Sequence, residues 1–215
     1  MRKFAVIVAG GSGKRMRSKL PKQFLDLKGR PVIIRTIQQF MDANKSIELV
    51  VVLSEQHLSY WNSLKSDYPF IDPIKVAIGG TSRTESVRAG LKAIPNEGLV
   101  AIHDAVRPFV TTKIINSSYQ SAAEKGSGVA SVALKDSIRE ILEQGRSFAR
   151  NRSNFVVVQT PQTFKVELIK KSYAQSDGDY SDDAAVFEKT NKHVFLVEGS
   201  YANIKITTPE DLEWQ

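Results

Sequence analysis

The stretch KFAVIVAGGSGKRMRSKLPKQFL, residues 3–25, joins an apolar run to three glycines and then to a cluster of cations. Its first residues, 3–8, are typical of a β-strand. The glycines Gly10, Gly11 and Gly13 interrupt that strand and allow a backbone to come close to a ligand. Because successive backbone N–H groups in such a turn form an anion-binding nest, the stretch predicts a phosphate cradle.

Two familiar phosphate-binding motifs do not fit this loop. A P-loop needs a glycine five positions before its Gly-Lys pair and a Ser or Thr after it, but Val8 and Arg15 stand there. The dinucleotide fingerprint needs a small residue where Met16 stands. The loop is therefore a phosphate site of another kind or, alternatively, a tight turn whose cations are solvated.

Composition bounds the class of protein. The chain has 215 residues, 41% of them hydrophobic, so one domain over 1–215 with one substantial core is expected. The absence of cysteine excludes disulfides and cysteine-based metal sites, and it is typical of a reducing compartment. The first apolar run is too short to span a membrane and no signal-peptide pattern precedes it, so we expect a cytoplasmic protein with no membrane partner.

Positive charge is concentrated at one end of the chain. The formal net charge is +7, from 30 Lys and Arg against 23 Asp and Glu. Residues 1–35 hold ten of the basic residues and one acid, which leaves 20 basic and 22 acidic residues elsewhere. A nucleic-acid binder usually spreads charge along a face, whereas a cluster beside a glycine loop suits a small phosphorylated ligand. We therefore expect no nucleic-acid partner.

Strand-like and helix-like segments alternate along the chain. Such alternation is typical of a mainly parallel sheet with helices on both faces, and it predicts an α/β, Rossmann-like fold. The predicted strands are 3–8, 48–53, 75–78, 99–103, 129–134, 155–159, 193–197 and 203–206, and the predicted helices are 31–43, 83–94, 111–125, 165–175 and 182–191.

Two further features locate a site and an appendage on this fold. Ligands of parallel sheets bind beyond the carboxyl ends of the strands, where loops 10–22, 79–86 and 103–108 are expected to meet. Residues 135–154 break the alternation, and their central Gln-Gly predicts a hairpin. We therefore expect a β-arm that projects from the sheet.

Five motifs, taken in order, carry a resemblance. AGGSGKRM with PKQF at 21–24 resembles the signature of nucleotidyltransferases that join a sugar phosphate to a nucleotide. Together with GGTSRTESV (79–87), HDAVRPF (103–109), QTPQTF (159–164) and NIKITTPEDL (203–212), it resembles 2-C-methyl-D-erythritol 4-phosphate cytidylyltransferases of the non-mevalonate isoprenoid pathway. The resemblance covers essentially the whole chain.

The resemblance implies transfer of CMP from CTP to methylerythritol phosphate with release of pyrophosphate. The attacking phosphate oxygen is already ionised, so the enzyme must mainly position two anions and neutralise charge at the α-phosphorus. Four cationic residues match the family's catalytic set: Arg15, Lys22, Arg152 and Lys205. The first two would stabilise the transition state, and the other two would hold the attacking phosphate.

The remaining site residues are implied in the same way. Nucleotide contacts would come from Ala9, Gly10, Gly11, Gly13, Gly80, Ser86 and Asp104, and substrate contacts from Arg107, Asp136 and Ser137. Asp104 is also the expected ligand of Mg²⁺, the expected cofactor. In the family the arm crosses to a second subunit, which implies a homodimer whose Ser137 and Arg152 serve the partner's site.

Some neighbouring residues are assigned other roles. Thr81 stands where the family often has an acid, which puts base contacts there in doubt. Arg83 and His103 are expected to be structural, and Ser181 is expected to cap the helix that follows it.

Two alternatives remain open. Ribitol-5-phosphate cytidylyltransferases share HDAVRPF and TPQ, so the acceptor is a sugar-alcohol phosphate of either kind. The second alternative is a non-catalytic nucleotide-binding or RNA-binding module. Aromatic residues do not interleave with the basic cluster as stacking platforms would, which disfavours that second alternative.

Overall fold

The computed structural model describes residues 1–11, 16, 20–190 and 192–213. A seven-stranded sheet contains β1 (Lys3–Ala9), β4 (Ile47–Leu53), β5 (Lys75–Ile78), β6 (Leu99–Asp104), β7 (Ser127–Ala133), β10 (Val156–Lys165) and β11 (Leu196–Glu198). Two-residue strands β2 (Asp26–Leu27) and β3 (Arg30–Pro31) form a small separate pair. The helices are α1 (Val32–Ala43), α2 (Leu58–Asp67), α3 (Arg83–Lys92), α4 (Thr112–Lys125), α5 (Val166–Ala174) and α6 (Asp183–Glu188).

The strand order of the large sheet is β11-β7-β10-β6-β1-β4-β5. Strand β1 pairs in parallel with β4 and β6, and β4 pairs in parallel with β5. Strand β10 runs antiparallel to both of its neighbours, and β11 is parallel to β7. The sheet is therefore mainly parallel, as predicted, with one reversed strand inside it.

Both faces of the sheet are buried. Alternate residues of β1 enter different cores: Ala5 and Ile7 pack with residues of α1 and α4, whereas Phe4 and Val6 pack with residues of α3 and α5. This two-sided burial explains the continuous apolar runs of the central strands. No helix among the described residues has the length and apolar character needed to cross a bilayer.

Helix α4 lies within the predicted range 111–125 and has a cap at each end. The Thr111 hydroxyl accepts a hydrogen bond from the Ile114 N–H at 3.3 Å, and Gly126 ends the helix with a φ of 93°. The predicted cap of α6 is wrong, because the carboxylate of Asp182, and not Ser181, accepts from the Ala185 N–H at 2.9 Å.

Two other predictions of secondary structure are wrong. Residues 203–206 form no strand, because their polar groups bind loops instead of a ladder: the Ile206 N–H donates to the Val106 carbonyl at 2.9 Å. Helix α2 was not predicted. Of its ten residues only Trp61 and Leu64 are buried, so the apolar periodicity that signals a helix is weak there.

The projecting arm is present. Strands β8 (Ile138–Ile141) and β9 (Ser147–Arg150) form an antiparallel hairpin inside the predicted segment 135–154. Gln144 and Gly145, the predicted centre of the turn, have φ values of 60° and 75°. This hairpin is a separate two-stranded sheet.

Candidate active site

A cleft of about 370 Å³ opens at the carboxyl ends of β1 and β6. The three loops that were expected to meet at this edge do so. The lining residues are Val8, Ala9, Gly10, Gly11, Lys22, Gln23, Gly80, Thr81, Ser82, Arg83, Ser86, Asp104, Val106 and Lys205. Gly13 and Arg15, which were predicted to bind phosphates here, lie outside the described residues.

Asp104 is the acidic centre of the cleft. It ends β6 and is 6% exposed. Its carboxylate meets Lys205 Nζ at 2.9 Å, Arg83 Nε at 3.4 Å and Arg107 Nε at 3.7 Å. Burial alone would raise the pKa of Asp104, but these cations, Arg83 foremost, hold that pKa well below its usual range. Asp104 is therefore ionised at neutral pH and surrounded by positive charge.

Arg83 connects the cleft to the buried side of the sheet. Its guanidinium binds both oxygens of Asp183, at 3.1 and 2.7 Å, and Asp183 is fully buried. The Tyr173 hydroxyl donates to the same carboxylate at 2.6 Å. Burial disfavours the charged form of Arg83, but the Asp183 and Asp104 carboxylates together outweigh this and raise the Arg83 pKa. Arg83 thus holds a structural ion pair, and it also lines the cleft, which the sequence analysis did not predict.

Two lysines carry positive charge to the cleft from distant parts of the chain. Lys22 Nζ donates to the Ile206 carbonyl at 3.0 Å, and Lys205 is the neighbouring residue of that segment. The segment is fixed in turn because Arg107 Nη1 donates to the Asn203 carbonyl at 2.7 Å. The irregular segment 203–206 therefore holds both predicted catalytic lysines near Asp104.

Close backbone approach explains two glycines of the nucleotide loops, Gly10 and Gly79. A Cβ on Gly10 would lie 2.9 Å from Ser86 Oγ, and a Cβ on Gly79 would lie 2.6 Å from the same atom. The hydroxyl of Ser86 thus sits between two loops that only glycine can bring together. The buried amide of Gln23 donates to the Ala9 carbonyl at 2.7 Å and further fixes the first loop. Gln23 is a second lining residue that the sequence analysis did not single out.

The arm residues lie elsewhere. Asp136, Ser137 and Arg152 are exposed, and they do not belong to the described lining of the cleft. Arg152 Nη1 donates to the Lys135 carbonyl at the base of the arm. The chain therefore brings Lys22, Lys205, Asp104 and Arg107 together, and it leaves the three arm residues apart from them.

His103 precedes Asp104 but does not line the cleft. It is fully buried, its Nε2 lies 3.2 Å from the Arg107 carbonyl, and its ring packs edge-on against Phe40. Burial lowers the pKa of His103 to about 4. The imidazole is therefore neutral at pH 7 and supports the strand end rather than transferring protons.

Among the described residues that line the cleft, one carboxylate, that of Asp104, can meet a metal ion. Within the described part of the chain, His, Asp and Glu form no group of three that could hold one. Mg²⁺ is commonly held by one or two carboxylates with substrate phosphates and water, so Asp104 fits a metal that arrives on a polyphosphate. A metal cage made only of protein groups does not fit these residues.

Comparisons with known proteins agree with this geometry. The model of the IspD family, 2-C-methyl-D-erythritol 4-phosphate cytidylyltransferase, matches residues 4–214. A protein of that name from Phocaeicola vulgatus is 40% identical over 214 residues, which cover 99% of this chain and 97% of that relative. Another, from Halalkalibacterium halodurans, is 40% identical over 210 residues, covering 96% of this chain and 92% of the relative.

Solved structures give the same result. The 4-diphosphocytidyl-2C-methyl-D-erythritol synthase of Anaerococcus prevotii has a TM-score of 0.84 and 29% identity, covering 98% of this chain and 94% of its own. The 2-C-methyl-D-erythritol 4-phosphate cytidylyltransferase of Thermus thermophilus has a TM-score of 0.78 and 28% identity, and the match covers 99% of this chain and 96% of that structure's chain. The similarity therefore extends over the full length in both sequence and fold.

Proposed function

Because the chain belongs to the 2-C-methyl-D-erythritol 4-phosphate cytidylyltransferase family, a family of CTP-dependent nucleotidyltransferases in isoprenoid synthesis, we propose how its residues perform this reaction. One domain over 1–215 transfers CMP from CTP to 2-C-methyl-D-erythritol 4-phosphate. The observation that carries the proposal is the set of cations around Asp104, namely Lys205, Arg83 and Arg107, at a cleft that Lys22 and the glycine loops also line.

The reaction is a displacement at phosphorus. A phosphate oxygen of the acceptor forms a bond to the α-phosphorus of CTP, and the bond from that phosphorus to the bridging oxygen breaks. Pyrophosphate leaves with the electron pair of the broken bond. No proton must be removed from the ionised nucleophile, so the protein acts by orienting two anions and by stabilising the charge that develops.

The lysines divide this work. Lys22 lies at the end of the first glycine loop and, with Arg15, neutralises the triphosphate and the transition state. Lys205 binds the attacking phosphate, and Asp104 holds the Lys205 ammonium in place through their contact at 2.9 Å. Arg83 and Arg107 keep the Asp104 carboxylate ionised and oriented, because both contact it from the protein side.

The base and ribose lie against the two loops that Ser86 brings together. Ala9, Gly10, Gly11 and Gly13 present backbone groups to the phosphates, whereas Gly80 and Ser86 face the base. Mg²⁺, held by the Asp104 carboxylate and the triphosphate, would offset the negative charge of the phosphates and help to orient them.

The acceptor pocket is completed by the arm of a second copy. Three arm residues, Ser137, Asp136 and Arg152, are exposed in this chain. In a dimer they would contact the acceptor in the cleft of the second copy. The arm also exposes large apolar side chains: Ile141 is 81% exposed and Phe148 is 61% exposed. Apolar surface of this kind on a two-stranded hairpin is stabilised when a partner covers it, so we propose a homodimer formed through the arm.

The experiment is incubation with CTP, Mg²⁺ and one acceptor at a time, with pyrophosphate release as the readout. We expect turnover with 2-C-methyl-D-erythritol 4-phosphate that exceeds turnover with ribitol 5-phosphate by at least about tenfold. Preference for ribitol 5-phosphate would contradict the proposed acceptor. Tight, salt-sensitive binding of RNA without turnover would instead favour the non-catalytic alternative.

The proposed reaction consumes CTP, so the enzyme must act in a compartment that contains CTP. A chain without cysteine needs no oxidising environment to fold, so we propose that the enzyme acts in the cytoplasm.

A further inference from the structure

Glu85 lies in the first turn of α3 and contacts the loop that precedes the helix. Its Oε2 accepts hydrogen bonds from the Thr81 N–H at 2.6 Å and from the Thr81 hydroxyl at 2.9 Å. A Cβ on Gly80 would collide with Cβ and Oε2 of the same glutamate, so the Gly80 backbone lies directly against it. The carboxylate therefore fixes two consecutive loop residues.

Helix capping explains only part of this arrangement. Ser82 is the N-cap of α3, and its hydroxyl accepts from the Glu85 N–H at 3.2 Å, which is one half of a capping box. In a capping box the glutamate reaches back to the N-cap residue itself. Here the Ser82 backbone also interacts with the carboxylate, and the carboxylate reaches in addition to Thr81, one residue further out, and so extends to the rim of the cleft.

The position of these residues links Glu85 to nucleotide binding. Gly80 and Thr81 line the cleft, whereas Glu85 stands behind them and is not part of the described lining. We propose that Glu85 is a positioning residue that holds the Gly80–Thr81 edge in the shape that binds the cytosine base of CTP. This inference rests on the proposed function, because it assigns that edge to the base.

Pre-organisation is the physical reason for the effect. The loop between β5 and α3 is fixed at its start, where the Gly79 N–H donates to the Leu53 carbonyl at 2.8 Å. Ordering of the next residues, Gly80 and Thr81, on binding would cost affinity unless a contact fixes them beforehand. The Thr81 hydroxyl, followed by the Thr81 N–H, lowers the pKa of Glu85. The carboxylate is therefore ionised at neutral pH, and charge-assisted hydrogen bonds are stronger than neutral ones.

The test compares Glu85→Ala, Glu85→Gln and wild type in steady-state assays with CTP and with UTP. The alanine variant is expected to raise the KM for CTP about fivefold to tenfold, because two hydrogen bonds to the loop are lost. Its kcat should stay within about twofold of wild type, and its preference for CTP over UTP should fall. The glutamine variant keeps an acceptor oxygen and should recover at least half of the lost affinity on a logarithmic scale.

Thr111→Ala is the matched control, because it removes the N-cap of α4 at a helix start that does not line the cleft. It should lower the melting temperature as a lost cap does, without changing the KM for CTP. If Glu85→Ala behaves like this control, or if glutamine recovers nothing, the positioning role is overturned. An inactive wild-type protein would instead overturn the proposed function and this inference together.

Discussion

The cleft and the arm carry the two halves of the proposed site, and they differ in how much one chain completes them. In the cleft, Asp104 is buried and contacts three cations of its own chain. On the arm, Asp136, Ser137 and Arg152 are exposed, and Arg152 has a backbone carbonyl of the arm itself as its described hydrogen-bond acceptor. The nucleotide half is thus pre-organised within one chain.

The difference indicates where a second copy is needed. A buried ion cluster keeps its geometry without a ligand, because removal of any member leaves a buried charge uncompensated. Exposed side chains on a hairpin have no such constraint. The cleft is therefore expected to bind CTP in a single chain, whereas capture of the acceptor phosphate is expected to require the partner's arm.

The largest expected effect is at the cleft lysines. Lys22→Ala and Lys205→Ala should each lower kcat by about 10²–10³, as loss of one transition-state contact does, when measured at a temperature where circular dichroism shows that the variant is folded. Lys113→Ala is the control, because its contact with Glu198 at 3.6 Å is fully at the surface. Near-normal turnover in either cleft variant would show that its ammonium does not act in the reaction.

The next largest effect is expected at the apolar arm. Phe148→Asp places a charge on a side chain that is 61% exposed in one chain, so the isolated fold should tolerate it. If the arm packs against a partner, the variant should become monomeric at micromolar concentration and lose at least about tenfold in turnover. Sedimentation measures the first effect and pyrophosphate release the second. An unchanged dimer would show that the interface lies elsewhere.

A third and smaller effect concerns stability rather than rate. It tests His103, the buried residue that supports the end of β6. The pKa of His103 is about 4 in the folded chain and ordinarily 6.5. At a pH between these two values the unfolded chain therefore binds a proton at His103 that the folded chain does not bind. Stability should therefore fall as the pH is lowered from about 6.5 to 4, by up to about 3 kcal/mol from this group.

His103→Gln checks that assignment. The glutamine amide can still donate to the Arg107 carbonyl, but it does not titrate. Urea unfolding at pH 6.5 and at pH 4.5 should give a smaller pH-dependent loss in the variant than in wild type. Equal losses in the two proteins would assign the acid sensitivity to other groups.

The sequence predicted most of what depends on local pattern. The glycine loops and the Gln-Gly turn of the arm were identified because glycine at these positions indicates a break in regular structure. The two-sided sheet was identified because strand-like and helix-like segments alternate along the chain. Alternation of strands and helices then located the ligand edge, where Asp104, Lys22 and Lys205 do meet.

What the sequence did not predict depends on long-range contacts. Arg83 was expected to be structural, but its place in the cleft was not predicted, because its contacts with Asp183 and Asp104 span 100 and 21 positions and leave no local signal. Residues 203–206 have the apolar alternation of a strand, but their hydrogen bonds go to loops. The roles of the arm residues came from the resemblance alone, and they stay a prediction.

The most direct test of a site shared between two chains is complementation. Inactive Arg152→Ala and inactive Lys22→Ala proteins are mixed, and their subunits are allowed to exchange. If Arg152 acts on the partner's cleft, a mixed dimer has one site with both defects and one site with neither. Random exchange makes roughly half of the dimers mixed, so about a quarter of wild-type activity should return. No recovery, with exchange verified by differently tagged subunits, would contradict the shared site.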